Sequence, residues 1–248
     1  MINENIQYNF NWTLFLLPVQ AEPEIVNMSN NQNEINSLQD ESLESFGYKV
    51  SWYVISDNEL KRRNLTIQKL AMLLGLHRQE NLPWNKGLER IFEQYYDENS
   101  GIFITPNING NVYIIAQVKD ELDLLDGKLD NFYGFTSYRV VGAVAWKIVK
   151  NGKIERYFTY ADGRVYHNEG NQTQAEKQLN LVDLSGLDVD EAIDKIFEDF
   201  EKPTFVNITD EEIPAKINEI LTGQNPLKFE EISVDEVKDK GIVGFLPN

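Results

Sequence analysis

Side chains suited to acid–base chemistry follow one another in the second half of the chain: Asp162, His167, Glu169 and Glu176. Two carboxylates at a suitable separation act as acid and base in glycoside hydrolysis, and a nearby histidine is a candidate base. Structural roles compete with this interpretation, because Asp162 opens an Asp-Gly turn and Glu169 precedes a glycine in a second predicted turn. An enzyme or small-molecule-binding protein therefore stays open as the alternative function. Its pocket would lie at the rim of the sheet and use Arg139, Asp162, His167 and Glu169.

Motifs that hold a phosphate, a metal or an activated nucleophile are missing from the sequence. There is no GxGxxG, GxxxxGK[ST] or GxSxG pattern. The chain contains no cysteine and two histidines, which excludes disulfides, thiolate nucleophiles, cysteine-ligated centres and a histidine-rich metal site. Asp123, Asp126 and Asp130 share one face of a predicted helix, but their spacing does not match a calcium-binding loop. We therefore predict no catalytic motif, no metal site and no cofactor.

The charge of the chain is strongly negative and unevenly distributed. Forty acidic residues against 23 basic ones give a net charge of −17, which argues against binding nucleic acid or anionic lipid. Residues 183–240 hold 17 of the acidic residues and 6 of the basic ones. A solvated helical surface is the simplest explanation of this acidic region. The alternative is an electrostatic surface for a basic protein partner.

Three dipeptides that favour tight β-hairpin turns divide the middle of the chain: Asn109-Gly110, Asn151-Gly152 and Asp162-Gly163. Both central residues of a type I′ turn need positive φ, which these residues adopt at low cost. They predict an antiparallel meander with strands Ile102–Ile108, Asn111–Val118, Tyr138–Lys150, Lys153–Tyr160 and Arg164–His167. The longest strand, Tyr138–Lys150, is apolar on both faces, so we expect it to be central and covered on both sides.

Helical periodicity flanks this meander on both sides. It predicts helices over Leu65–Leu76, Asn85–Tyr96, Asp120–Asn131, Thr173–Leu179, Val189–Phe200 and Ile213–Leu221. A strand over Lys49–Ile55 is predicted before them. The helix Val189–Phe200 carries apolar residues at a spacing that predicts one buried face. Pro214 is expected at the first position of the last helix, which ends at Gly223. The fold class predicted is α+β: an antiparallel β-meander flanked by helices, with an acidic helical C-terminal region.

The N-terminal part of the chain shows no targeting signal. No lysine or arginine precedes Lys49, and the apolar stretch Trp12–Val19 is too short to span a bilayer. Residues 22–41 are rich in Asn, Gln, Glu and Ser and predict a mobile loop. We expect a single domain over residues 1–248, located in the cytoplasm and not associated with a membrane.

Short segments follow in a characteristic order from Trp84 to the C-terminus, over about two thirds of the chain. They are Trp84 and Gly87 before a helix, Gly101–Pro106, Arg139 and Trp146, Asn151–Tyr157, Glu169–Glu176, Thr209–Glu212 and Gly241–Pro247. This order resembles a group of bacterial proteins similar to the immunity proteins of polymorphic and contact-delivered toxin systems. The resemblance implies a small acidic α+β protein without a catalytic motif that binds a toxin directly, often a basic one.

The sequence and the resemblance together favour a bacterial immunity or inhibitor protein whose partner is a basic toxin or effector protein. Aromatic anchors would supply affinity, and acidic side chains would raise the association rate. The predicted partner-binding residues are Trp84, Tyr166, Glu191, Asp194, Glu198, Asp199, Glu211 and Glu212. A structural component of a larger assembly, docked through the C-terminal helices, is a further alternative. The oligomeric state stays open.

Overall fold

Nine β-strands form one antiparallel sheet in the computed structural model, which describes residues 42–93, 101–118, 121–200, 202, 206–232, 237 and 239–247. The strands are β1 Val50–Ser56, β2 His77–Leu82, β3 Gly101–Ile104, β4 Asn111–Gln117, β5 Phe132–Tyr138, β6 Ala143–Lys150, β7 Lys153–Ala161, β8 Arg164–Gly170 and β9 Gly241–Phe245. Their order across the sheet is β2-β9-β3-β4-β1-β5-β6-β7-β8. The predicted loop over residues 22–41 lies outside the described residues.

Six α-helices accompany the sheet in the described ranges, which confirms the α+β fold class. They are α1 Asp57–Arg62, α2 Ile67–Leu73, α3 Trp84–Glu93, α4 Gln174–Gln178, α5 Val189–Phe200 and α6 Ile213–Thr222. Helices α3 to α6 contribute buried residues to a core on one face of the sheet. Helices α1 and α2, together with residues 121–131, cover the opposite face. None of these helices is long and apolar enough to cross a membrane.

The predicted hairpins are confirmed. The turns Asn109-Gly110, Asn151-Gly152 and Asp162-Gly163 all have positive φ at both residues and join β3 to β4, β6 to β7 and β7 to β8. Strands β5 to β8 form the meander, and β6 contributes buried side chains to the cores on both faces, such as Trp146 and Ala145. Local turn chemistry therefore sets this half of the sheet.

Two predicted elements are wrong. The strand Tyr138–Lys150 is interrupted by a 3₁₀ turn, Arg139–Val141, because Gly142 takes the left-handed conformation and reverses the chain between β5 and β6. The helix Asp120–Asn131 is a series of turns over its described part, residues 121–131. Three of its four leucines, Leu122, Leu125 and Leu129, are buried nonetheless. The segment is fixed on the sheet by the Lys147 ammonium, which binds the Asp126 carboxylate at 2.5 Å.

The C-terminal helices follow their sequence signals closely. Thr173 caps α4 in a capping box with Glu176, and α5 has the predicted boundaries. Helix α6 begins at Ile213, so Pro214 occupies its second position and not the first. Gly223, with a φ of 77°, ends the helix as predicted.

Candidate functional site

Helix α5 holds four of the predicted partner-binding acids and packs against the edge strand β8. Its first turn is set by Asp188, whose carboxylate accepts hydrogen bonds from the backbone N–H groups of Asp190 and Glu191. In return, the Glu191 carboxylate accepts the N–H of Asp188 at 3.0 Å. Acidic side chains are favourable in this turn because the helix N-terminus is electropositive. Glu191 therefore caps the helix in addition to carrying surface charge.

The apolar residues of α5 are not all buried, which corrects the expectation of a single covered face. Ala192 and Ile196 reach the core, whereas Phe197 is 52% exposed and Phe200 and Val189 are also exposed. The rings of Phe197 and Phe200 lie 5.9 Å apart. The core therefore covers only some of the apolar residues of α5 and leaves the others exposed.

Phe197 lies on the same side of the helix as acidic residues. Asp190, Asp194 and Phe197 follow an i, i+4, i+7 spacing, which places them on one side of an α-helix. Glu198 is exposed beside them and forms an ion pair with Lys195 at 3.1 Å. We name Asp190, Asp194, Phe197 and Glu198 the α5 outer face. An exposed aromatic ring on the same side of a helix as carboxylates can bind a cationic side chain through both charge and ring.

The other predicted acids lie in different surroundings. The Asp199 side chain is mostly buried and binds Lys202, so it does not belong to the α5 outer face. Glu211 and Glu212 lie in the turn before α6, half-buried, and Glu211 forms an ion pair with Arg139 at 3.7 Å. Glu211, Glu212 and Arg139 line a shallow cavity of about 310 Å³ together with Gly142, Thr209 and Asp210.

A larger cavity of about 560 Å³ adjoins this one through Glu212. Phe46, Tyr48 and Phe92 form its aromatic walls, and Lys216 and Glu219 are among its charged residues. Burial, together with nearby carboxylates that include Glu212, raises the pKa of the Tyr48 hydroxyl. The phenol therefore stays neutral and can donate a hydrogen bond to a ligand in the cavity.

The two predicted aromatic anchors differ in accessibility. Trp84 is only 4% exposed, and its Nε1–H donates to the Glu44 carbonyl at 2.9 Å, so the expectation that it anchors a partner is corrected. It belongs to the aromatic core with Phe46 and Phe229. Tyr166 lies on β8 and is 37% exposed.

The alternative pocket predicted from Arg139, Asp162, His167 and Glu169 does not come together as one cavity. Asp162 lies near the Arg139 turn, since its N–H donates to the Val141 carbonyl at 3.4 Å. His167 and Glu169 lie towards the other end of β8.

His167 stacks on the Tyr157 ring with centroids 4.3 Å apart. Burial lowers the pKa of its imidazole, and its Nδ1 has no hydrogen-bond partner among the described residues. This position favours a neutral ring that packs against the sheet.

Sequence reasoning missed Phe197 as a surface residue and Asp190 as its neighbour. The available signal was the spacing of Asp190, Asp194 and Phe197 at i, i+4 and i+7, which places the three residues on one side of a helix. Within the described ranges, no group of three or more His, Asp or Glu side chains is placed to hold a metal ion. Comparison of the chain with protein-family models, curated proteins and solved structures finds no match.

Proposed function

We propose that this protein is a bacterial immunity or inhibitor protein, acting in the cytoplasm, that binds and neutralises a basic toxin or effector protein by direct contact. The observation that carries the proposal is the α5 outer face, where Phe197 stands exposed among carboxylates. Exposed aromatic residues that can become fully buried on binding are typical centres of protein interfaces. The resemblance of the sequence to immunity proteins points to the same class of function.

Charge favours a basic partner over a second copy of the chain. Three of the four residues of the α5 outer face are acidic, and Lys195, the one cation of α5, is engaged by Glu198. A symmetric dimer through this face would bring like charges together at low dielectric, which costs several kcal/mol in unfavourable cases. Arginine and lysine side chains of a partner would pair with the carboxylates and stack on the phenyl ring.

The partner is first identified by capture on the immobilised protein at low and high salt, and then purified. The purified partner must be basic, and its toxicity in cells must fall when this protein is co-expressed. Truncation of a central aromatic residue costs about 2 kcal/mol or more of binding energy. We therefore expect Phe197→Ala to weaken the affinity for the purified partner by about 30-fold.

A matched pair of charge reversals tests the electrostatic part. The variant Asp194→Lys/Glu198→Lys changes two exposed acids, one of them paired with Lys195. The control Glu80→Lys/Glu89→Lys makes the same charge change on β2, at the opposite edge of the sheet, and on helix α3. One of its two acids, Glu89, is again paired to a lysine three residues away.

We expect the first variant to lower the association rate and its salt dependence strongly, and the control to change both only slightly. Equal effects of the two variants would refute the role of the α5 outer face as the binding surface. The charge would then act on association only at long range. Undiminished binding by Phe197→Ala would also contradict the proposal.

A small-molecule-binding protein is the second candidate function, favoured by the cavity of about 560 Å³ beside Tyr48. This volume lies within the usual range of ligand pockets. A metabolite of the cell that raises the melting temperature saturably would support it. Lys216→Ala, which changes the charged wall of the cavity, should then reduce the shift.

A further inference from the structure

Two turns of the sheet carry the same reactive dipeptide in the same conformation. Asn109-Gly110 and Asn151-Gly152 are both exposed two-residue hairpin turns. Their φ angles are 48° and 87° in the first turn and 51° and 71° in the second. The pair is therefore a natural comparison of one chemical group in two surroundings.

Asparagine followed by glycine can undergo an intramolecular reaction, because glycine has no side chain to shield its backbone nitrogen. That nitrogen attacks the side-chain carbonyl carbon Cγ, forming an N–Cγ bond. The Cγ–Nδ2 bond breaks, and ammonia leaves with the proton of the glycine N–H. Water then opens either carbonyl of the resulting succinimide, which gives aspartate or isoaspartate.

The turn at Asn151 is held by another segment of the chain. Gly152 N–H donates to the Asp130 carbonyl at 2.9 Å, and Asn151 N–H donates to Asn131 Oδ1 at 2.9 Å. The Asp130 carboxylate is itself bound by Arg62 at 2.9 Å. The attacking nitrogen becomes free only when this tertiary contact opens.

At Asn109 another segment also contacts the turn, since the Asp57 N–H donates to the Gly110 carbonyl at 2.8 Å, but the attacking nitrogen itself is held more weakly. Gly110 N–H donates to Asn107 Oδ1 at 3.0 Å, and Asn107 is an exposed residue only three positions away. Rotation of one surface side chain therefore frees the attacking nitrogen.

We propose that Asn109 is a site of spontaneous deamidation and that Asn151 is protected. The nitrogen of Gly152 is bound by a backbone carbonyl of another segment, whereas that of Gly110 is bound only by a local surface side chain. A single hydrogen bond contributes about 1 kcal/mol, so the contact with Asp130 slows the reaction at Asn151 by about fivefold or more relative to Asn109.

Isoaspartate at position 109 would also disturb a buried contact. Ile108 and Asn111 flank the turn and exchange backbone hydrogen bonds of 2.8 and 3.0 Å. Gln224 binds both residues, since its Nε2 donates to the Ile108 carbonyl and its Oε1 accepts from Asn111 Nδ2. Isoaspartate adds a carbon to the main chain between these two anchors, whereas aspartate does not.

The experiment ages the full-length protein at mildly alkaline pH and follows both peptides by mass spectrometry. Each rate is divided by the rate of the same peptide in the denatured chain, which removes intrinsic sequence effects. We expect the normalised rate at Asn109 to exceed that at Asn151 by about fivefold or more. Equal rates, or faster conversion of Asn151, would overturn the proposal.

Two variants test the structural cause. Asn107→Ala should accelerate the reaction at Asn109 and leave Asn151 unchanged, whereas Asn131→Ala should accelerate Asn151 alone. An unchanged rate at Asn109 in Asn107→Ala would contradict the assigned role of Asn107. The isoaspartate form, separated by ion exchange, should melt at a lower temperature than Asn109→Asp, which carries the same charge without the additional carbon.

Discussion

Replacing Glu176 with glutamine is expected to destabilise the fold strongly, because it removes the charge that balances a buried guanidinium. The side chains of Arg156 and Glu176 are each 2% exposed, and Nε lies 2.9 Å from Oε1. The same oxygen accepts the Trp146 Nε1–H at 3.2 Å. The other oxygen accepts the N–H and the hydroxyl of Thr173, both at 2.7 Å. All four donors therefore depend on one buried carboxylate.

The magnitude follows from what the substitution leaves behind. Removing one partner of a buried ion pair costs about 3–5 kcal/mol. Arg156 still donates to Asn168 Oδ1 at 2.7 Å and to the Glu169 carbonyl at 3.2 Å, which favours the lower end, about 3 kcal/mol. The double variant Arg156→Met/Glu176→Gln removes both charges and leaves only neutral buried groups without hydrogen-bond partners. These unpaired groups lower the free energy of unfolding by about 1–3 kcal/mol. The double variant should therefore be no less stable than Glu176→Gln alone.

Urea unfolding of the wild type, Arg156→Met, Glu176→Gln and the double variant, followed by circular dichroism, completes the cycle. We expect a coupling energy of about 2 kcal/mol or more. Glu198→Gln is the control, because it breaks an exposed pair with Lys195 and should cost at most about 0.5 kcal/mol. If the two single losses simply add, or if Glu176→Gln costs less than about 1 kcal/mol, the reasoning from burial is refuted.

Four further substitutions address backbone geometry and pH. Gly170→Ala should cost about 3 kcal/mol or more in urea unfolding, because its Cβ would lie 2.0 Å from a carbonyl oxygen of β7 at a φ of 84°. Gly163→Ala, with positive φ but open space, should cost only about 1 kcal/mol. Hydrogen bonds from Arg62 lower the pKa of the Glu59 carboxyl. The ionised Glu59 therefore stabilises the fold at pH values above the ordinary pKa of a glutamate, and this stabilisation is lost as the pH falls. Glu59→Gln should flatten the stability–pH curve in that acidic range. Burial lowers the pKa of His167, so the fold loses stability as pH falls below the ordinary histidine value, and His167→Gln should remove that slope.

Hairpins were predictable from sequence because their signal is local. The Asn-Gly and Asp-Gly turns fix both the conformation and the pairing of the strands beside them. The pairing of β2 with β9 has no such signal, because the two strands are distant in sequence. β2 is almost entirely polar and exposed, and β9 is a short apolar run. Tertiary contact, and not local preference, makes these two segments strands.

Residues 121–131 show why a helical pattern is not sufficient. Leucines at helical spacing are buried as predicted, but Gly127 takes a positive φ of 68° within the segment. Side chains at Asp126 and Asp130 bind cations on other elements, Lys147 and Arg62. These two ion pairs and the left-handed glycine thus hold the segment as a series of turns and not as a continuous helix.

The candidate site was predictable in part for a related reason. Periodicity defined the boundaries of α5, and composition identified its acids. The width of the covered stripe depends on the elements around α5, which bury Ala192 and Ile196 in the core but leave Phe197 exposed. A sequence pattern shows which face of a helix is apolar, but it does not show how much of that face the neighbouring elements cover.

The buried ion pair and the α5 outer face are physically connected. Asn168 receives a hydrogen bond from Arg156 on Oδ1 and donates from Nδ2 to the carbonyls of Leu184 and Leu187, each at 2.8 Å. Leu187 directly precedes Asp188, the residue that caps α5. The start of the helix is therefore fixed to the sheet through a fully satisfied polar network. If the protein binds a partner as proposed, that partner would meet a helix already held in place, so less conformational entropy would be lost on binding and Phe197 would act as a rigid anchor.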